Sequence, residues 1–388
     1  MSKRILVVWK GQYPWDVRIQ KLCQALIESG SELMLLCRWN GEAEEREIVD
    51  NIPVRRAGFQ KHSALTLPIP INPYWKSLIE DSAKEINADI IITREIMIAV
   101  QSAKVARKLN IPSITDMAEN YPAGMKEWKK YKKNIFIKLA VHNLELPVLT
   151  EKRAVDASDG IITVCSENSD RLVNIYKFNK DNIVEVHNTP SVKSFDSNNQ
   201  SRSFNPNNLV FGHHGHLTEE KKIDIFLKGF LLFVNDYPNS KFTIAGAGES
   251  LDQLKEITEE SQNKHSVEFL GTYKPQNLEA ILKTFDIGVM PYQINDFNNF
   301  TIHNKIFDYF ANAIPVIGSE AVPIKRVLTE TSAGLSIDCT TPEIISNSLN
   351  EFVKLNLKDM AANAHKAFID KYNWENDSNK LTDFINKF

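Results

Sequence analysis

Short runs of aliphatic residues alternate with amphipathic stretches of helical period almost throughout the chain, and the alternation breaks once before resuming. Residues 5–9, 33–37, 54–57, 90–93, 113–116, 161–164 and 183–186 are strand-like, and helical stretches such as 17–29, closed by Gly30, separate most of them. Continuous apolar strands between helices imply a parallel sheet covered on both faces. The segment 188–208, NTPSVKSFDSNNQSRSFNPNN, is rich in Asn and Ser and reads as a linker. Strand patterns then return at 209–213, 242–245, 267–270, 287–290, 315–317 and 335–337. The prediction is an α/β chain of two doubly wound Rossmann-like domains, 1–190 and 209–370, joined by a linker at 191–208. A last helical stretch, 371–388, has no placement fixed by the pattern. A length of 388 residues agrees with two cores rather than one.

The formal charge of −3 gives no global pull toward nucleic acid. Cys23, Cys37, Cys165 and Cys339 have neither CxxC nor zinc-like spacing and are expected to be free thiols. The start, MSKRILVVWKGQ, has an apolar run too short for a signal peptide and reads as a first strand. No run approaches the ~20 apolar residues that span a bilayer. The expected location is cytoplasmic, at the inner face of the membrane.

In open α/β sheets, ligands bind beyond the carboxyl ends of the strands. The segment 301–318, TIHNKIFDYFANAIPVIG, reads as a short helix, a tight turn and a buried strand. Thr301 is the expected N-cap, with Asn304 and Lys305 in the first turn and Asp308 one turn from Lys305. A helix N-terminus with a lysine suits a phosphate, and a carboxylate one turn on suits ribose hydroxyls. A structural Lys–Asp pair on an amphipathic helix explains the same residues. After strand 209–213, Gly215, His216, Thr218, Lys221 and Lys222 form a glycine-containing loop. There Thr218 is placed to cap the next helix, with both lysines in its first turns. The loop reads as a diphosphate site or as an ordinary connection with solvated lysines. Gly271, Thr272 and Tyr273 end another strand, where backbone groups face a base edge or simply close the strand. AGAGES, 245–250, lacks the third glycine of a dinucleotide fingerprint and is expected to serve close strand-to-helix packing.

In the first domain the loop WKGQYPWDVRI, 9–19, brings Trp15, Asp16 and Arg18 to a strand end, the expected acceptor-binding group. The loop DMAENYPAGM, 116–125, brings Asp116 and Glu119 to the same sheet end. Either carboxylate is a candidate to receive a proton from an acceptor hydroxyl. Capping by Asp116 and a solvated Glu119 is the alternative. Residues 125–149 interleave Lys126, Lys129, Lys130, Lys132, Lys133 and Lys138 with Trp128, Tyr131, Phe136 and Ile137. Such a helical stretch suits anionic lipid headgroups or is one solvated helix face. Asp-x-Asp, HExxH, GxSxG and Walker lysine motifs are all absent from the sequence.

Seven landmarks occur in order along nearly the whole chain: the first strand followed by WDVRIQKLCQALIESGSELMLL, KRAVDASDGIITVCSENSDRL, VHNTPSVKSF, GHLTEEKKID, FLGTY, DIGVMPY and NKIFDYFANAIPVIG. In this series the chain resembles the family 4 glycosyltransferases, which have the GT-B fold, two domains facing across a cleft, and retain anomeric configuration. The resemblance implies that Lys221 binds donor diphosphate. It puts His216 where the family usually has arginine. Asp308 takes the place of a glutamate that binds the ribose. Thr301, seven residues earlier, stands where many members carry the first glutamate of an E-x7-E pair. Asn304 and Lys305 then fall near the donor's phosphates or sugar. Ala118 and Glu119 replace a His-Asp or His-Glu, so a histidine that touches the donor sugar in relatives is missing.

The function expected on this basis is a retaining, metal-independent glycosyltransferase, of hexosyltransferase type. It moves a sugar from a nucleotide-sugar to an acceptor hydroxyl in bacterial surface polysaccharide or lipid-linked glycan synthesis. Its expected partners are the donor, a glycan or lipid-linked acceptor and a membrane surface met through 125–149, with no cofactor, metal or nucleic acid. A sugar-nucleotide epimerase on the same architecture and a catalytically silent nucleotide-sugar binding protein remain the alternatives.

Overall fold

Fourteen strands of the computed structural model, which describes residues 2–14, 16–39, 41–58, 72–128, 131, 135–194 and 202–388, lie in two sheets. The first holds β1 (Arg4–Gln12), β2 (Glu32–Arg38), β3 (Arg46–Val49), β4 (Ile52–Ala57), β5 (Ile90–Arg94), β6 (Ser113–Asp116), β7 (Gly160–Thr163) and β8 (Ile183–Glu185). Their order is β3-β4-β2-β1-β5-β6-β7-β8. All neighbours run parallel except β3, which pairs antiparallel with β4. β3, REIV, is absent from the strands read in the sequence, because four residues with a charged pair on a half-exposed edge make no apolar run. The inner strands do: Ile5 to Val8, Leu33 to Cys37 and Ile90 to Thr93 are all buried. Both faces of a parallel sheet are covered, so alternation is lost and aliphatic runs appear instead.

The second sheet holds β9 (Val210–His214), β10 (Lys241–Ala245), β11 (Val267–Gly271), β12 (Ile287–Met290), β13 (Val316–Ser319) and β14 (Gly334–Ile337). The order is β11-β10-β9-β12-β13-β14, parallel throughout. One face packs on an aromatic cluster from the helix Ile223–Phe233 and the adjoining strands: Phe211, Phe226, Phe230, Phe233 and Phe242. Truncating any one of these rings to alanine is expected to cost about 3–5 kcal/mol. In this sheet the chain reverses its winding at β9, from which it passes outward to β10 on one side and β12 on the other.

The chain divides into two compact units, 1–188 together with 377–388, and 189–376. The described residues of the expected linker, 191–194 and 202–208, therefore fall within the second unit. Arg202 is anchored there, donating to the carbonyls of Asn312 and Phe285. The helix Trp374–Asn386 starts in the second unit, and from Asp377 onward it is part of the first. Leu381, Phe384 and Ile385 are buried there, and a side chain at Gly160 would collide with Phe388 and Phe384. The four cysteines are free, and three are buried. Among the described residues no helix is long and apolar enough to cross a membrane.

Candidate donor site at the winding reversal of the second sheet

β9 ends in two buried histidines, His213 and His214, and turns at Gly215 with φ +98°. The adjoining AGAGES loop lies directly against this turn. Gly215 donates its N–H to the Ala245 carbonyl, and a Cβ on Gly246 would sit 1.9 Å from the Gly215 oxygen. The two glycines thus serve a loop-on-loop approach rather than the expected strand-to-helix packing. They leave the backbone at the end of β9 bare of side chains.

The Lys305 side chain occupies that bare ground. Its Cε and Nζ come within 2.9 and 3.0 Å of where a Cβ on Gly215 would stand. Among the described residues its ammonium has no hydrogen-bond or ion-pair partner. Burial, then the positive charge of Lys221, push its pKa down to about 7, against the opposing pull of Asp308 and Glu220. The surrounding imidazoles do not answer the charge. His213, His214 and His303 are all held well below the usual histidine range, first by burial and next by the two lysines. They are neutral and orient one another's neighbours. His213 Nδ1–H donates to the Val289 carbonyl at 2.9 Å, and His214 Nδ1 lies 3.3 Å from the Tyr273 hydroxyl. His303 Nε2 lies 2.8 Å from Asn298 Oδ1 and its ring stands edge-on to Tyr292. The Nε2 atoms of His213 and His214, the Tyr292 hydroxyl and the Thr301 hydroxyl are buried with no hydrogen-bond partner. Unanswered buried polar atoms at this density mark a place that a polar ligand completes.

The structure revises several readings of individual residues. Thr301 is not the N-cap: the helix is Lys305–Ala311, and Asn304 caps it in helical geometry without a side-chain bond. The N–H groups of Ile306, Phe307 and Asp308 already bond to His303 and Asn304 carbonyls. Seven residues with an occupied first turn offer little to an anion. Thr218 caps no helix either. A 3-10 turn, Glu219–Lys221, follows it, Lys222 takes φ +51°, and the helix starts at Ile223. Lys221 donates from Nζ to the His216 carbonyl at 2.7 Å, and His216 is exposed beside it. Asp308 is partly buried, its Oδ2 3.7 Å from His214 Nε2. Tyr273 is pushed up to about 12, by burial first and then by the Asp308 charge. Gly271 has φ +68°, and its carbonyl accepts from Gly246 N–H at 2.7 Å. Leu270, Thr272, Tyr273, Asn277 and Ile281 line a groove alongside. The structure therefore gathers Gly215, Tyr273, Lys305 and Asp308 at one sheet end, near Lys221. The histidines of this group went unread because HH at a strand end looks like the close of an apolar run.

In the first unit the expected acceptor residues turn out to be mutually occupied. Asp116 is fully buried and takes three hydrogen bonds from Arg18, at 2.6 to 3.2 Å. Arg18 gives its remaining Nη1–H to the Val186 carbonyl at 2.9 Å. Neither group is available to an acceptor, and Asp116 does not cap the next helix, which Asn120 caps. Asp16 caps the helix Val17–Glu28 by accepting from Ile19 N–H and also pairs with Arg94 at 2.6 Å. Glu119 is part-exposed and Trp15 lies outside the described residues. So do Lys129, Lys130, Lys132 and Lys133 of the basic stretch. That stretch is no continuous helix: Tyr121–Glu127, Ile135–Lys138, a π-helical turn Leu139–Asn143 and Leu146–Ala157 follow one another. Among the described residues no three His, Cys, Asp or Glu gather as a metal site.

The family described as glycosyl transferases group 1 matches residues 194–370, the stretch that carries this site. An uncharacterised glycosyltransferase of Methanocaldococcus jannaschii is 21% identical over 227 residues, 56% of this chain. That match spans 57% of the relative's own length. Anabaena HepE in complex with UDP superposes with a TM-score of 0.70 at 11% identity, covering 100% of both chains. Sucrose-phosphate synthase from Thermosynechococcus elongatus superposes at 0.74 with 12% identity over 99% of this chain and 98% of its own. Residues 194–370 therefore match the group 1 glycosyl transferase family, and the chain as a whole shares the two-sheet GT-B fold of these structures.

Proposed function

We propose that this protein transfers a sugar from a nucleotide-sugar to an acceptor hydroxyl, with the donor's diphosphate seated on Gly215 between Lys305 and Lys221. The observation that carries this reading is the Lys305 ammonium, packed against Gly215 without a partner among the described residues. A diphosphate would supply the missing countercharge. Asp308 is placed to accept from the ribose hydroxyls, and the groove at Leu270, Thr272 and Tyr273 would take the base. The UDP in the Anabaena structure of the same fold supports a nucleoside diphosphate as the bound half of the donor.

As the bond from the anomeric carbon to the β-phosphate oxygen lengthens, negative charge grows on that oxygen. Lys305 and Lys221 would stabilise it from fixed positions, and preorganised charge is often the largest catalytic contribution. The acceptor oxygen bonds to the anomeric carbon on the face the phosphate leaves, and its proton passes to the departing phosphate oxygen. The sugar's configuration is retained in this scheme. The two lysines supply the charge that a bound divalent cation supplies elsewhere, so transfer should survive chelation.

The acceptor belongs to the first unit in this reading, and a lipid-linked or polysaccharide acceptor fits its surface. Ile135, Leu139, Leu144, Leu146 and Leu149 are 45–76% exposed within fifteen residues, beside a sequence that carries six lysines between 126 and 138. Exposed aliphatics next to clustered lysines match the boundary of an anionic bilayer.

A thermal-shift screen of UDP-, GDP-, CMP- and dTDP-sugars tests the proposal, because a ligand of the native state raises apparent stability. At least one should raise the melting temperature of the wild type, and the same concentration should raise that of Lys305→Met by less. If no nucleotide-sugar shifts the wild type, the reading is wrong. A shift without turnover on any acceptor would favour a silent binding protein.

A further inference from the structure

The first sheet has its own winding reversal at β1, flanked by β2 and β5. A crevice beyond such a reversal is where open α/β sheets take ligands. The residue immediately after β5 is Glu95, with φ +72° and ψ 153°. That backbone region is essentially reserved for glycine, and a glutamate there is a strained outlier. Its N–H donates to the Asp116 carbonyl at 3.1 Å, and the Asp116 side chain is clamped by Arg18. The buried ion pair is thus the fixture that holds the strained residue in place.

The Glu95 side chain, part-exposed, has neither a hydrogen bond nor an ion pair among the described residues, and it does not cap the helix Ile96–Leu109 that it precedes. Its surroundings are polar and aromatic. Arg94 pairs with Asp16, yet its Nε is buried without a hydrogen-bond partner. Its guanidinium lies 5.9 Å from the Trp9 ring, which ends the apolar run of β1 in register with Arg94. Tyr121 closes the other side: its phenol is raised by burial first and by the Glu95 charge next. Arg94 and Trp9 are thus occupied with each other and with their neighbours, and the strained, unanswered, part-exposed Glu95 carboxylate is the group at this sheet end that a sugar hydroxyl can reach.

We propose that Glu95 is the carboxylate that receives the acceptor: it accepts a hydrogen bond from the sugar hydroxyl to be glycosylated. The proposal rests on the transferase reading and gives Glu95 the role the sequence had offered to Asp116 or Glu119.

Glycine at 95 relieves the backbone and removes the carboxylate together, whereas alanine removes only the carboxylate. Full-length Glu95→Gly, Glu95→Ala and Glu95→Gln are compared with wild type, using methyl and octyl hexopyranosides as acceptor probes. Glu95→Gly should melt about 2–6 °C above Glu95→Ala. Both should keep the wild-type melting rise with nucleotide-sugar. Their kcat/KM for the acceptor probe should fall roughly 10- to 100-fold, mainly through KM, as for a lost hydrogen bond to a charged group. Glu95→Gln, which can still accept, should lie between. Unchanged acceptor kcat/KM in Glu95→Gly overturns the proposal, as does a glycine variant that melts below the alanine variant. Loss of the donor-induced rise in these variants would move Glu95 to donor binding and also overturn it. Absence of any donor-induced rise in the wild type is a separate result and refutes the transferase reading itself.

Discussion

The two units treat their charged groups differently. In the first, each strongly buried charge meets its partner. Arg18 and Asp116 form a forked pair, and Arg171 bonds both oxygens of Glu151 at 2.7 and 2.8 Å while Tyr176 donates to one of them. In the second, several polar groups around β9 have no hydrogen-bond partner among the described residues: Lys305, the outer nitrogens of His213 and His214, and the hydroxyls of Thr301 and Tyr292. A satisfied buried pair specifies a fold, and breaking one member is costly. An ammonium without a partner costs stability until something anionic arrives. The difference separates scaffolding from site without any appeal to motif.

The comparison can be broken most decisively at Arg18. Arg18→Met should strand a buried carboxylate and lower unfolding stability by about 3–5 kcal/mol in urea titrations. A loss below ~1 kcal/mol would mean the first unit's charges are not the paired scaffold described. The opposite sign is expected at Lys305. Lys305→Met should leave stability equal or raise it by about 1–3 kcal/mol at pH 6, because an unanswered buried charge is removed. The same variant should weaken nucleoside diphosphate binding by roughly 10- to 100-fold in calorimetry. If Lys305→Met destabilises the protein, its amine is structural.

Titration sharpens the same contrast. Lys305 in the free protein titrates near 7, below its ordinary 10.5. Between those values the unfolded chain binds the extra proton, so this residue makes stability rise with pH above about 7 and flatten near 10.5. A bound diphosphate restores the proton. Binding therefore takes up a proton above pH 7, and affinity should fall as pH rises, by up to about tenfold per unit. A pH-independent Kd between 7 and 9 would contradict the assignment. The smallest expected effect is at the membrane surface. The double variant Ile135→Glu, Leu139→Glu should reduce co-sedimentation with phosphatidylglycerol vesicles by about tenfold, with little binding to phosphatidylcholine by either protein. Equal retention of both proteins on anionic vesicles would remove the aliphatic residues from the contact.

Much of the framework is legible because covered parallel strands advertise themselves as unbroken aliphatic runs, as β2, β5 and β12 do. β3 escapes because an exposed edge strand of four residues needs no such run. The lysines and Asp308 of the second unit are readable, since they sit just beyond strands in loops with glycine. Their electrostatic state is not, because it depends on burial and on lysines distant in sequence. Asp116 misleads for a similar reason. Its partner Arg18 lies 98 residues away, and only the adjacency of strand ends brings the two together. Glu95 leaves no trace in composition or spacing: its distinction is a backbone angle.

The route of the chain through its units has a consequence for biosynthesis. Residues 189–376 are an insertion within the first unit's sequence, and that unit recovers the chain only at Asp377. Once a ribosome has made Asn376 the second unit has all of its own sequence, but the first still lacks Leu381, Phe384 and Phe388 to cover the surface at Gly160. The part of the protein synthesised first is therefore the last to be complete. During that interval its uncovered apolar face is the species most in need of a chaperone.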